Sequence, residues 1–153
     1  MRKILFIMLL MFSGATLAGS AIYKVVADKP VSALYGHVKS ALEEERLFVV
    51  FEPDIGRNIS GFKEKWGDNY NRNHLDEIRS LVFCNAWFAN EVSNKDPDML
   101  GLCPLKITLT EKDGKTTALF VLPTQISGQS PATEVLSEIE GKVKSVLKKS
   151  GFK

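Results

Sequence analysis

Cysteine and histidine are scarce in this chain, with two of each among 153 residues. Metal binding therefore has thin support, since the spacing of His37, His74, Cys84 and Cys103 matches no zinc motif. There is no C-x-x-C pair, which a thioredoxin-type oxidoreductase needs, and no C-x-x-C-H, which covalent haem attachment needs. No G-x-S-x-G, phosphate-binding loop or H-E-x-x-H occurs, and no other catalytic constellation stands out, so the reading leans away from an enzyme. A charge excess is missing too, with 20 Lys and Arg against 18 Asp and Glu. No internal repeat, low-complexity tract or interdomain linker interrupts the chain.

The first residues read as an export signal. Met1-Arg2-Lys3 is a short basic start, Ile4 to Phe12 (ILFIMLLMF) is unbroken apolar, and Ser13 to Ala18 (SGATLA) turns small. Thr16 and Ala18 suit the −3 and −1 positions of a signal-peptidase site, so cleavage is expected after Ala18, leaving residues 19–153 as one domain. Nine apolar residues fall short of the roughly 20 that span a bilayer, and no later run comes near that length. The expected location is outside the cytosol, the periplasm in a Gram-negative source. Without Arg2 and Lys3 the mature chain has 18 basic and 18 acidic residues. That neutrality gives no general attraction to nucleic acid.

The spacing of apolar residues predicts the elements. Ala21 to Val26 reads as a strand. Pro30 opens a helix in which Val31, Leu34, Val38 and Leu42 share a face through Glu45. Leu47 to Phe51 (LFVVF) is a continuous apolar run and reads as a central strand. Glu52 to Asn58 is expected to be loop, Ser60 to Trp66 a short helix, and Gly67 to His74 (GDNYNRNH) a polar turn region. Ser80 to Cys84 is a strand, and Asn85 is an N-cap for a helix running to about Ser93. Leu105 to Glu111 alternates apolar and polar residues, Asp113-Gly114 is a hairpin turn, and Thr116 to Leu122 is the return strand. Pro123 to Ser130 reads as loop. Ser130-Pro131 then starts a long helix with glutamates early and lysines late, the order its dipole favours. Its lysine cluster (Lys142, Lys144, Lys148, Lys149, with Lys153) therefore reads as a solvated face. The sum is an α+β fold, a mostly antiparallel sheet of about five strands packed as two layers against helices, with a long C-terminal helix.

Cys84-Asn85 between strand and helix, Asp96-Pro97, Cys103-Pro104, and the strand Ile107 to Glu111 with its charged hairpin together resemble the domain of unknown function 302 family. The resemblance spans roughly Ala21 to Gly151. It implies a compact α+β domain, often dimeric, and brings no established reaction. The stretch Asn58 to His74 departs from it, being longer and more aromatic than the usual connection.

The residues themselves leave several chemistries open. Two cysteines in an exported chain favour a Cys84–Cys103 disulfide closing a loop of about 20 residues. A redox or ligating pair is the sharper alternative, since a thiolate at Cys84 would face a helix N-terminus. His74 is a weak third metal ligand, and no cofactor is implied. Trp66, Tyr70, Trp87 and Phe88 read first as core. They would otherwise line an apolar pocket or a homodimer contact around the cysteines, with Asn85 as polar anchor and Pro104 beside Cys103. The expectation is a small binding or assembly module that takes a small ligand or protein partner, the alternative a thiol-based redox or metal-handling protein.

Overall fold

The computed structural model describes residues 21–153, so the expected signal segment lies outside the described residues. Five strands form one sheet: β1 (Ile22–Ala27), β2 (Phe48–Phe51), β3 (Glu77–Cys84), β4 (Leu105–Lys112) and β5 (Lys115–Val121). Their order across the sheet is β1-β5-β4-β3-β2, and every neighbouring pair is antiparallel. Helix α1 (Val31–Glu44) carries the chain from one edge of the sheet to the other, from which β2 to β5 meander back. This is the α+β architecture the sequence predicts. One assignment changes: β2 is an edge strand, not a central one. A continuous apolar run does not distinguish a buried strand from an edge strand with apolar residues on both faces.

Alternation along each strand sends side chains to two faces with different fates. Val25, Leu81, Phe83, Ile107, Leu109, Ala118 and Phe120 point to the helix side and are buried. They pack with Leu34, Val38 and Leu42 of α1, with Phe88 and Val92 of α4 (Ala86–Lys95), and with Leu136, Ile139, Val143 and Leu147 of α6 (Thr133–Lys149). On the opposite face, among the described residues, no apolar residue is buried.

Several ends are closed by distant residues. The α1 N-terminus has no side-chain cap from Pro30; instead Glu111 of β4 accepts a hydrogen bond from the Val31 N–H at 2.7 Å. That carboxylate also meets the positive end of the helix dipole. The hairpin between β4 and β5 turns through Asp113 and Gly114, both at positive φ (52° and 70°), which suits Asp-Gly. Glu45, the residue after α1, pairs with Lys142 and Lys149 of α6.

Between β2 and β3 the expected loop is partly helical. Asp54 caps α2 (Ile55–Ser60) by accepting from the Arg57 N–H at 2.8 Å, so the helix starts before Ser60. Gly61-Phe62 separates it from α3 (Lys63–Trp66). A further short helix, α5 (Thr124–Ser127), forms in the segment expected to be loop after β5.

Candidate functional site

The two cysteines lie on adjoining strands. Cys84 ends β3, and Cys103 stands two residues before β4, joined to Pro104 by a cis peptide bond. Since Phe83 pairs with Leu105, the antiparallel register carries Cys84 and Cys103 to the same end of the sheet. Both are free, half-buried thiols in this structure. Together with Leu47, Phe83, Asn85, Phe88, Leu105 and Ile139 they line a cavity of about 20 Å³. That is room for one water-sized group, against the several hundred Å³ of an ordinary ligand pocket. Burial, and secondarily the neighbouring Cys84, push the Cys103 thiol up, away from thiolate character.

Asn85 fixes this end. Its Oδ1 accepts from the Phe88 N–H at 3.0 Å, capping α4, and its Nδ2 donates to the Arg46 carbonyl at 2.8 Å. It ties the start of α4 to the turn before β2, and is a structural anchor by these contacts. Phe88 is core, and Trp87, itself 58% exposed, meets it edge-on at 5.1 Å between ring centres.

The other aromatic residues are elsewhere. Trp66 stacks on Phe62 at 5.0 Å, and Lys63 lies over the Tyr70 ring at 5.9 Å. His74, at positive φ, belongs to the same excursion, which enters β3 at Glu77. Cys84 is at the far end of that eight-residue strand, about 25 Å long. The structure therefore does not bring Trp66, Tyr70 or His74 to the cysteines. Among the described residues no group of three or more His, Cys, Asp or Glu is placed to hold a metal ion.

Two features were not visible in the sequence. The first is a β-bulge. Val49 pairs with Phe83 but Phe51 pairs with Val82, so Val50 is an extra residue in β2. In a regular strand Phe48 and Phe51 would point to opposite faces; the bulge puts both on the uncovered face, beside Val82 and Cys84. Phe48, Val50 and Phe51 are 55%, 61% and 64% exposed. The charged residues that the strands place on this face (Lys24, Lys106, Lys112 and Lys115) are all basic.

The second is a polar cluster at the α1–β3 contact. The Arg79 guanidinium lies 3.8 Å from the centre of the Tyr35 ring, a cation–π geometry. The Tyr35 hydroxyl donates to Glu52 at 2.8 Å, and Lys39 donates to the other Glu52 oxygen at 2.6 Å. Burial, then the hydrogen bond to Glu52, push Tyr35 up to about 12. The hydrogen bonds from Lys39 and Tyr35 hold Glu52 below the usual carboxylate range. Sequence spacing offers no signal for this group, since its members come from α1, β3 and the residue after β2.

Fold and site thus define a small α+β domain with a thiol pair at one end of the sheet and, beside it, a sheet face left uncovered by the described residues. The chain belongs to the family described as "Domain of unknown function DUF302", whose model matches residues 23–150. Its fold is also that of a solved structure, an uncharacterized conserved DUF302 protein from Bacillus stearothermophilus, with a TM-score of 0.73 and 20% identity over 85% of this chain and 98% of that one. No functionally curated protein matches the sequence.

Proposed function

We propose that this is an exported, non-catalytic assembly module whose partner is a second copy of the chain, joined through the uncovered sheet face at β2 and β3. The observation that carries the reading is the bulge, which gathers Phe48 and Phe51 beside Val82 with both residues more than half exposed. Adjacent exposed aromatic residues on a sheet face mark an association surface. The same bulge disfavours continuous edge-to-edge pairing of β2, so the contact is face to face. It is confined to the β2–β3 side, because Lys112 and Lys115 stand side by side at the hairpin end of β4 and β5. The test is the molar mass in solution by light scattering across a concentration series. Wild type is expected to run as a dimer and Phe51→Glu as a folded monomer. A wild-type monomer at all concentrations would overturn the reading.

A second reading concerns the thiols. That Cys84 and Cys103 line one small cavity supports a disulfide forming between them in an oxidising compartment. Protein purified without reductant and alkylated after denaturation would then have an intact mass two hydrogens light with no label. Two labels would sink the disulfide and leave a reduced pair to be tested for redox or metal chemistry. The same mass tests the expected mature start at Gly19.

A further inference from the structure

A groove of about 740 Å³ runs between β1, at the sheet edge away from the cysteines, and the C-terminal turns of α6. Its floor is apolar: Tyr23, Val25 and Phe152, the last two buried. Its rim is basic: Lys144, Lys148 and Lys153. One end is closed by the main chain, where Val26 and Lys153 exchange two hydrogen bonds of 3.0 and 2.9 Å.

The charges on the rim are not balanced locally. Lys144 is tied to Glu140 at 2.6 Å and reaches over the Tyr23 ring at 5.3 Å. Among the described residues Lys148 and Lys153 have no carboxylate partner, although Lys142 and Lys149 on the same helix both find Glu45. Lys148 and Lys153 stand beside apolar walls with their ammonium groups free to take an anion. The volume is that of an ordinary ligand site, apolar lining with a few charged groups at one side is the usual composition of such sites, and lysine stems extend the apolar wall while holding the ammonium at the rim.

We infer that this groove binds a free amphiphilic carboxylate of the fatty-acid class. The apolar chain lies along Tyr23 and the stems of Lys144 and Lys148, above the buried Val25 and Phe152, and the carboxylate meets the Lys148 ammonium at the rim. The site is independent of the dimer contact, which uses the opposite edge of the sheet.

The test is calorimetric titration of the purified protein with dodecanoate below its micellar range, alongside dodecanol and anionic lipid vesicles. Dodecanoate is expected to saturate at one per chain, and dodecanol to bind at least about ten-fold more weakly. Lys148→Ala should weaken dodecanoate about ten-fold and Lys148→Arg should restore most of it. Among the described residues Lys148 has no hydrogen-bond or ion-pair partner, so its loss should leave the circular dichroism spectrum and the unfolding midpoint unchanged. Phe51→Glu should leave dodecanoate binding intact, which separates this site from the β2 patch. No saturable binding, or binding unmoved by Lys148→Ala, would overturn the assignment. So would capture by vesicles without binding of free dodecanoate, which would mark a membrane-facing surface instead.

Discussion

The two faces of the sheet are made by the same strands, and they differ in nearly everything else. Toward the helices, Leu81, Phe83, Ile107, Leu109, Ala118 and Phe120 are all 1% exposed or less. On the other side the same strands present Val82, Thr108, Thr110, Thr117 and Leu119, none of them an exposed large apolar residue and none a buried one. The large exposed side chains of that face collect at the edges, as Phe48 and Phe51 on β2 and Ile22 and Val26 on β1. A sheet interior can therefore be left uncovered with threonine and single aliphatic residues, while its edges keep apolar groups that a partner can use. The Ser80 and Thr108 hydroxyls, 2.9 Å apart across β3 and β4, satisfy each other on this face.

The largest difference between the faces should appear in stability. Phe83→Ala removes a ring that is 1% exposed, and urea unfolding should show a loss of about 3–5 kcal/mol. Phe51→Ala, measured in dilute solution where no partner binds, should cost under about 0.5 kcal/mol. Equal losses would mean that the second face is covered in solution. Asn85→Ala removes both a helix cap and the bond to the Arg46 carbonyl, and should cost about 1–2 kcal/mol, between those extremes. A cost near zero would show that α4 needs no anchor at the cysteine end.

Smaller effects come from the polar cluster on the helix side. Tyr35 is raised in the folded state, so the folded protein holds that proton more tightly than the unfolded chain does. Its contribution is full below the unfolded value of 10 and is lost as pH rises from there through about 12. Ultraviolet titration should show one of the three tyrosines ionising late, and Tyr35→Phe should remove that late step. Glu52 has the opposite sign. Its folded value is depressed by Lys39 and Tyr35, so its contribution is present above the unfolded value of 4.5 and is lost as pH falls through the folded one. Glu52→Gln should flatten the acid side of the stability–pH curve slightly, and an unchanged curve would mean that solvent screens the pair completely.

Much of this architecture is legible in the chain. Leu105, Ile107 and Leu109 alternate with Lys106 and Thr108, and they form a strand with one buried face. Asp113-Gly114 makes the hairpin, Asn85 caps its helix, and Leu136, Ile139 and Val143 give the long helix its buried stripe. These features depend on residues close in sequence, whose backbone preferences and periodicity act before any tertiary contact. The helix in Glu52 to Asn58 is not legible in the chain because it is short and is secured by one Asp54 cap.

The place of β2 was misread for a different reason. LFVVF is equally apolar as a central strand or as a bulged edge, and only its pairing with β3 separates the two. The candidate sites follow the same division. Cys84 and Asn85 were found because they adjoin a helix start, and Cys103 because it precedes a proline. Their meeting around one small cavity, the distance of Trp66, Tyr70 and His74 from them, and the Lys148 groove depend on strand order and on where α6 ends. Sequence by itself determined the longer helices, the strands and the α+β class, because local conformational preference and side-chain periodicity are properties of neighbouring residues. Tertiary structure alone decided which sheet face stays uncovered, which side chains share a cavity and which lysines lack a partner, because burial and charge balance depend on residues far apart in the chain.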